Sequence, residues 1–152
     1  MITKGDDFPI HQTSSPIAEV GSERNFYDRY FFNGYNDDGS IFFGAAFCVY
    51  PNLNVKDASF IFVSEGIQHN FRYSDVLDYE RMETSVGSFK IEIIKPLKEI
   101  RITLNDEEKD INVDITFSGR FEPMEEPRMT LRNGPRIYIC LLYTSDAADE
   151  ED

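Results

Sequence analysis

The residue with the clearest chemical potential is Asp28, a carboxylate inside the apolar run Asn25 to Tyr35. This run and Ile41 to Tyr50 flank Asn36-Asp37-Asp38-Gly39, a strong hairpin turn. Pairing Tyr35 with Ser40 would set Phe32 opposite Phe43, Tyr30 opposite Ala45, Asp28 opposite Phe47 and Phe26 opposite Val49. A carboxylate among aromatic rings is costly to ionise, so its pKa is expected to rise toward that of a general acid near neutral pH. Ring faces also stabilise cations. Together these suit protonation of an isolated double bond, with Asp28 as the catalytic acid and Tyr30, Phe32, Phe43, Ala45 and Phe47 lining a ligand site. The structural alternative is that Asp28 pairs with Arg72 or Arg101, or accepts hydrogen bonds from backbone or tyrosine, as buried acids usually do.

Other candidates carry less. His11, in Pro9-Ile10-His11-Gln12-Thr13, has no nucleophile or second ligand that can be placed beside it. Glu125-Glu126-Pro127-Arg128 reads as a solvated charged loop. Cys48 lies in an apolar strand without a basic neighbour in sequence, which makes it a small core residue rather than a reactive thiolate. No phosphate-cradling glycine loop and no G-x-S-x-G elbow is present, so Ser64 and Ser88 lack a nucleophile's context. No cofactor is implied, and no metal site built on cysteine or histidine can be assembled; one made of carboxylates alone stays open.

The elements that must position Asp28 are strands. From Asn25 the chain reads as short strands separated by turns, the pattern of an all-β antiparallel barrel or barrel-like sandwich. Ala58 to Val63 and Ile67 to Tyr73 flank Ser64-Glu65-Gly66 as a second hairpin. Phe89 to Ile94 alternates Phe89, Ile91 and Ile93 with Lys90 and Glu92, giving one dry and one wet face. Glu99 to Leu104 and Ile111 to Phe117 repeat this around the polar turn Asn105 to Lys109, with Ile111, Val113, Ile115 and Phe117 on one apolar face. One helix is expected between Ser74 and Met82, capped by Ser74 with Val76, Leu77 and Tyr79 inward. Residues 1–24 and Glu122 to Arg136, with Pro123, Pro127 and Pro135, read as irregular cover. On the first hairpin, Tyr27, Arg29 and Phe31 face Cys48, Ala46 and Gly44. Both of its faces are therefore largely apolar, and cover on both sides is expected.

The 152-residue chain has formal net charge −13, which repels phosphate backbones and argues against nucleic acid as a partner. No apolar run is long enough for a transmembrane segment. The start, Met1-Ile-Thr-Lys-Gly-Asp-Asp-Phe, lacks the apolar core of a secretory signal, so the cytoplasmic compartment is expected. Residues 140–150, beginning Cys140-Leu-Leu-Tyr-Thr-Ser, resemble the translation of a sequencing adapter. On that reading 140–152 is a non-native tail. Removing its acids Asp146, Asp149, Glu150, Glu151 and Asp152 changes the charge from −13 to −8 and leaves Cys48 as the one thiol, without a disulfide partner.

Asp7-Phe-Pro-Ile-His-Gln12, the stretch Arg24-Asn-Phe-Tyr-Asp-Arg-Tyr-Phe-Phe-Asn-Gly34, Glu125-Glu-Pro-Arg128 and Gly134-Pro-Arg136 carry a family resemblance. They resemble an uncharacterised bacterial family similar to the tandem lipocalin-like proteins, among them carotenoid hydratase (hydroxyneurosporene synthase) and, more distantly, tocopherol cyclase. The resemblance implies a two-domain protein, each half a lipocalin-like antiparallel barrel, with residues 25–139 as the first and a missing C-terminal domain of the same chain as partner. It implies a small hydrophobic molecule, isoprenoid or lipid-like, as ligand, and no family catalytic residue transfers to this stretch. Three readings follow: a binding domain, part of a hydratase or cyclase that protonates a double bond through Asp28, or a structural domain packed on its missing half.

Overall fold

The computed structural model describes residues 4–9, 24–78, 83–125, 129–140 and 143–144. Among these the regular structure is antiparallel strand and short 3-10 turns, with no α-helix. Strands β1 (Asp28–Tyr35), β2 (Ile41–Tyr50), β3 (Val55–Ser64) and β4 (Ile67–Val76) form one sheet in sequence order. Strands β5 (Ser85–Val86), β6 (Phe89–Lys95), β7 (Glu99–Asp106) and β8 (Ile111–Ser118) form a second, also in sequence order. The two up-and-down sheets do not close on each other: β1 and β8 are both edge strands. Two smaller pairs follow, β10 (Met129–Asn133) with β11 (Arg136–Cys140), and β9 (Met124–Glu125) with β12 (Tyr143–Thr144). The expected all-β, barrel-like sandwich is what forms.

Turn chemistry sets the hairpins. Glu65 and Gly66 make a two-residue turn with φ of 53° and 74°, the positive pair that matches the twist of flanking strands. In the β7 to β8 turn, Asp106 accepts from the Lys109 amide at 3.2 Å and Asp110 takes φ 52° to leave the 3-10 turn. Ile93 and Lys95 flank a register shift in β6, and Leu97 follows at φ 65°.

The core lies between the sheets. From the first come Tyr30, Ala45, Phe47, Val49, Ala58 and Phe60, and from the second Val86, Phe89, Ile91, Ile100, Ile102 and Leu104, all buried. Phe47, Phe60, Phe89, Ile91, Ile102 and Leu104 are the fully covered side chains that anchor it. The apolar face of Ile111, Val113, Ile115 and Phe117 on β8 packs against this core while remaining partly open.

Four expectations are corrected. The first hairpin pairs Tyr35 with Phe42, not Ser40, so Phe32 lies opposite Ala45, Tyr30 opposite Phe47 and Asp28 opposite Val49. Asn36 causes the shift: its carbonyl accepts from the Gly39 amide at 2.9 Å and its side chain from the Ile41 amide at 2.8 Å. Ser40 is thereby held in the loop, where Asp38 accepts its amide. A shift of two residues changes neighbours but keeps each side chain on its face.

The helix expected from Ser74 does not form, because Ser74 to Val76 continue β4 opposite Asp57 to Val55. Leu77 is buried without helical partners, and Tyr79 to Met82 lie outside the described residues. The segment expected to be irregular from Glu122 contains the β10 to β11 hairpin. Gly134 at φ 59° and Pro135 make its two-residue turn, so the proline serves a hairpin rather than breaking one. The outer face of the first hairpin is not covered as expected: Phe31 is 59% exposed and Phe42 41%.

Candidate functional site

Asp28 opens β1 and is 4% exposed, pointing to the same side as Tyr30 and Phe32. Its carboxylate accepts from the Arg29 amide at 2.8 Å. Of the arginines weighed as partners, Arg101 is held by Asp114 through two hydrogen bonds of 2.7 and 2.5 Å, and Arg72 projects from the opposite face of β4. Beside Asp28, the Tyr30 phenol is pushed far above its ordinary pKa, by burial first and then by the negative charges of Asp28 and Asp7. Tyr30 remains a donor at any ordinary pH, and its hydroxyl donates to the Asp7 carbonyl.

Asp7 was not singled out in the sequence, yet it is 5% exposed and spans the two sheets. Its carbonyl holds Tyr30 of β1, while its carboxylate accepts from the Leu97 amide in the β6 to β7 turn. The short 3-10 turn Lys4–Asp7 thus straps one end of the sandwich, and Pro9 behind it is fully buried. Nothing in the local residues marks Asp7 as buried; the nearest signal is the apolar Phe8-Pro9-Ile10 that follows.

The five residues expected to line a ligand site do share one face. Tyr30 stands 6.4 Å from Phe32 and 6.1 Å from Phe47, ring centre to ring centre. Phe43 lies 6.1 Å from Phe60, and Ala45 is buried between neighbouring strands. From the other sheet Phe117 approaches Phe32 at 4.9 Å and Phe43 at 6.0 Å, the separations at which aromatic pairs attract. Gly34 makes this possible. A Cβ there would sit 2.6 Å from the Phe43 ring, which therefore lies directly over the glycine. Phe32, Phe43, Phe62, Phe71 and Phe117 are all partly buried, so the core grades from sealed at Phe47 and Phe60 to accessible at this aromatic end.

A second polar cluster ties the sheets at another edge. Tyr73 donates to Asp106 at 2.6 Å, Lys109 donates to the same carboxylate oxygen at 2.6 Å, and the Lys109 ammonium lies 4.2 Å over the Tyr73 ring. These donors hold the Asp106 carboxyl down at about 2, the Lys109 contact being the largest cause. The sequence shows this stretch only as a polar turn; the Tyr73 partner is a long-range contact with no local mark.

Cys48 is not the core residue expected: it lies half-buried on the outer face of β2, opposite Arg29 and Asp57. Burial, with the nearby Asp57 charge, pushes its thiol up to about 11, which keeps it neutral and unreactive at pH 7. The residues 126–128 and His11 lie outside the described residues. Among the described residues no three His, Cys, Asp or Glu side chains are grouped to hold a metal, and no helix is long and apolar enough to cross a membrane.

Fold and site together define an all-β protein of two open up-and-down sheets with an aromatic interior and a buried acid at its margin. The chain belongs to a family of unknown function, DUF8625, whose model matches residues 2–142. That match reaches into the stretch resembling adapter. No curated protein and no solved structure matches the chain.

Proposed function

We propose that this domain binds a small hydrophobic molecule, isoprenoid or lipid-like, against the aromatic end of its interior. The observation that carries this reading is the grading of burial. Phe32, Phe43, Phe62, Phe71 and Phe117 are partly open, while Phe47, Phe60, Phe89, Ile91, Ile102 and Leu104 of the same core are sealed. Rings already gathered at van der Waals distance can accept an apolar guest by parting, and the guest recovers the area they expose. Because β1 and β8 are not hydrogen-bonded to each other, parting them breaks no ladder.

The test is titration of the full chain with retinol, whose emission rises in a dry site, and with a long-chain fatty acid in competition. Saturable binding that Phe117→Ala or Phe32→Ala weakens about tenfold is expected. Retinol emission that never saturates, or saturates identically in both variants, would sink the reading.

A second reading, a hydratase- or cyclase-type reaction, is favoured by one observation: Asp28 is buried beside Tyr30 at the margin of this aromatic face. Asp28 would give its proton to one carbon of an isolated double bond, the rings would stabilise the cation, and water would add with loss of a proton back to Asp28. Asp28→Asn in the full-length protein should then abolish turnover while leaving the fold intact. Unchanged turnover would exclude Asp28.

A further inference from the structure

The outer face of the first sheet is unlike the rest of the molecule. Its outward side chains form rows across the strands, two of which are Arg29, Cys48, Asp57, Ser74 and Phe31, Ala46, Ser59, Arg72. Its charged groups are Arg29, Asp57 and Arg72, giving the face a net charge of +1 on a chain of −13. Phe31 stands 59% exposed on β1, and the small residues Ala46 and Ser59 leave the two strands beside it low. The Arg29 guanidinium rests over the Phe31 ring at 5.7 Å, which leaves its donors free to turn outward.

We infer that this face is a self-complementary surface that pairs with a second copy of the chain. A two-fold axis running along β2 carries β1 of one copy onto β3 of the other. That places Arg29 over the partner copy's Asp57 twice and sets Phe31 above Ser59 beside Ala46, a knob against a low point. Such reciprocity is what a closed two-fold interface requires. Sheets stacked about 10 Å apart leave room for these side chains and little else. Its near-neutral charge also keeps repulsion between two copies small on an otherwise acidic molecule. The three strands that overlap, each about 25 Å long at about 4.8 Å spacing, present roughly 350 Å² per copy, so about 700 Å² in total, below the ~1,000 Å² of a stable specific dimer. The association is therefore weak and reversible.

Sedimentation of the full chain over a wide concentration range tests this directly. Wild type should pass from monomer to dimer. Arg29→Glu alone and Asp57→Arg alone each put like charges together at both contacts, and each should weaken the dimer about tenfold or more. Mixing the two single variants restores both pairs in the mixed dimer and should restore association, an outcome no intramolecular effect can imitate. Ala46→Arg, which fills the low point with charge, gives an independent disruption if either reversal fails to fold. A wild type that stays monomeric, whatever else covers the face, overturns the inference. So does a dimer that persists in the variants, or a mixture that stays monomeric.

Discussion

The Tyr73 hydroxyl donates to the Asp106 carboxylate at 2.6 Å, joining the last strand of one sheet to the last turn of the other. Lys109 completes the contact from above the ring. The consequence is an acid-sensitive clasp. The Asp106 pKa is depressed from its ordinary 3.8 to about 2, so its contribution to stability is fully present above the ordinary value and is lost as pH falls through about 2. Thermal melting followed from pH 5 to pH 2 should show a falling midpoint. In Asp106→Asn the fall over this window should be shallower and the midpoint at pH 5 lower.

Gly87 lies under the same tyrosine. Its φ is 56°, and a Cβ there would meet the Tyr73 ring at 2.6 Å. Gly87→Ala should cost about 2 to 4 kcal/mol, combining left-handed backbone strain with overpacking. Gly39 has φ 68° with open space around it, so Gly39→Ala should cost only about 1 kcal/mol. Urea unfolding of the pair separates strain from crowding; equal costs would remove the packing role of Gly87.

The graded core predicts graded truncations. Phe47 is fully covered, and Phe47→Ala should lose about 3 to 5 kcal/mol. Phe32 is only partly buried, and its truncation should cost about half as much. Similar losses at both positions would mean that the aromatic end is as sealed as the rest.

The Cys48 thiol, raised to about 11, should react with a disulfide reagent at pH 7.5 far more slowly than the same thiol in urea. Mass spectrometry of the peptide carrying the mixed disulfide follows this site alone. Fast labelling in the native chain would show that the side chains around Cys48 on the outer face do not shield it.

Much of the strand plan was legible because hydrophobic alternation and turn residues agree. Ile111, Val113, Ile115 and Phe117 form one inward row, and Glu65-Gly66 makes a tight turn. The register of the first hairpin was not legible, because Asn36 uses both its carbonyl and its side chain to hold two more residues in the loop. Ser74 looked like a helix cap because serine caps locally, yet pairing with Asp57 outweighs that preference. Of the site, the shared face of Tyr30, Phe32, Phe43, Ala45 and Phe47 followed from alternation alone and survived the register shift. Asp7 and Phe117 did not, since each reaches the site from a distant part of the chain and only packing brings it there.

Where Phe32 of β1 meets Phe117 of β8, two edges touch through rings and share no ladder. Such a junction is held by apolar contact, which weakens as temperature falls, whereas the hydrogen-bonded strands on either side do not share that dependence to the same degree. The seam is then the part of the fold that loosens in the cold. Entry to the interior at this seam would become easier on cooling, the reverse of thermal breathing between hydrogen-bonded strands.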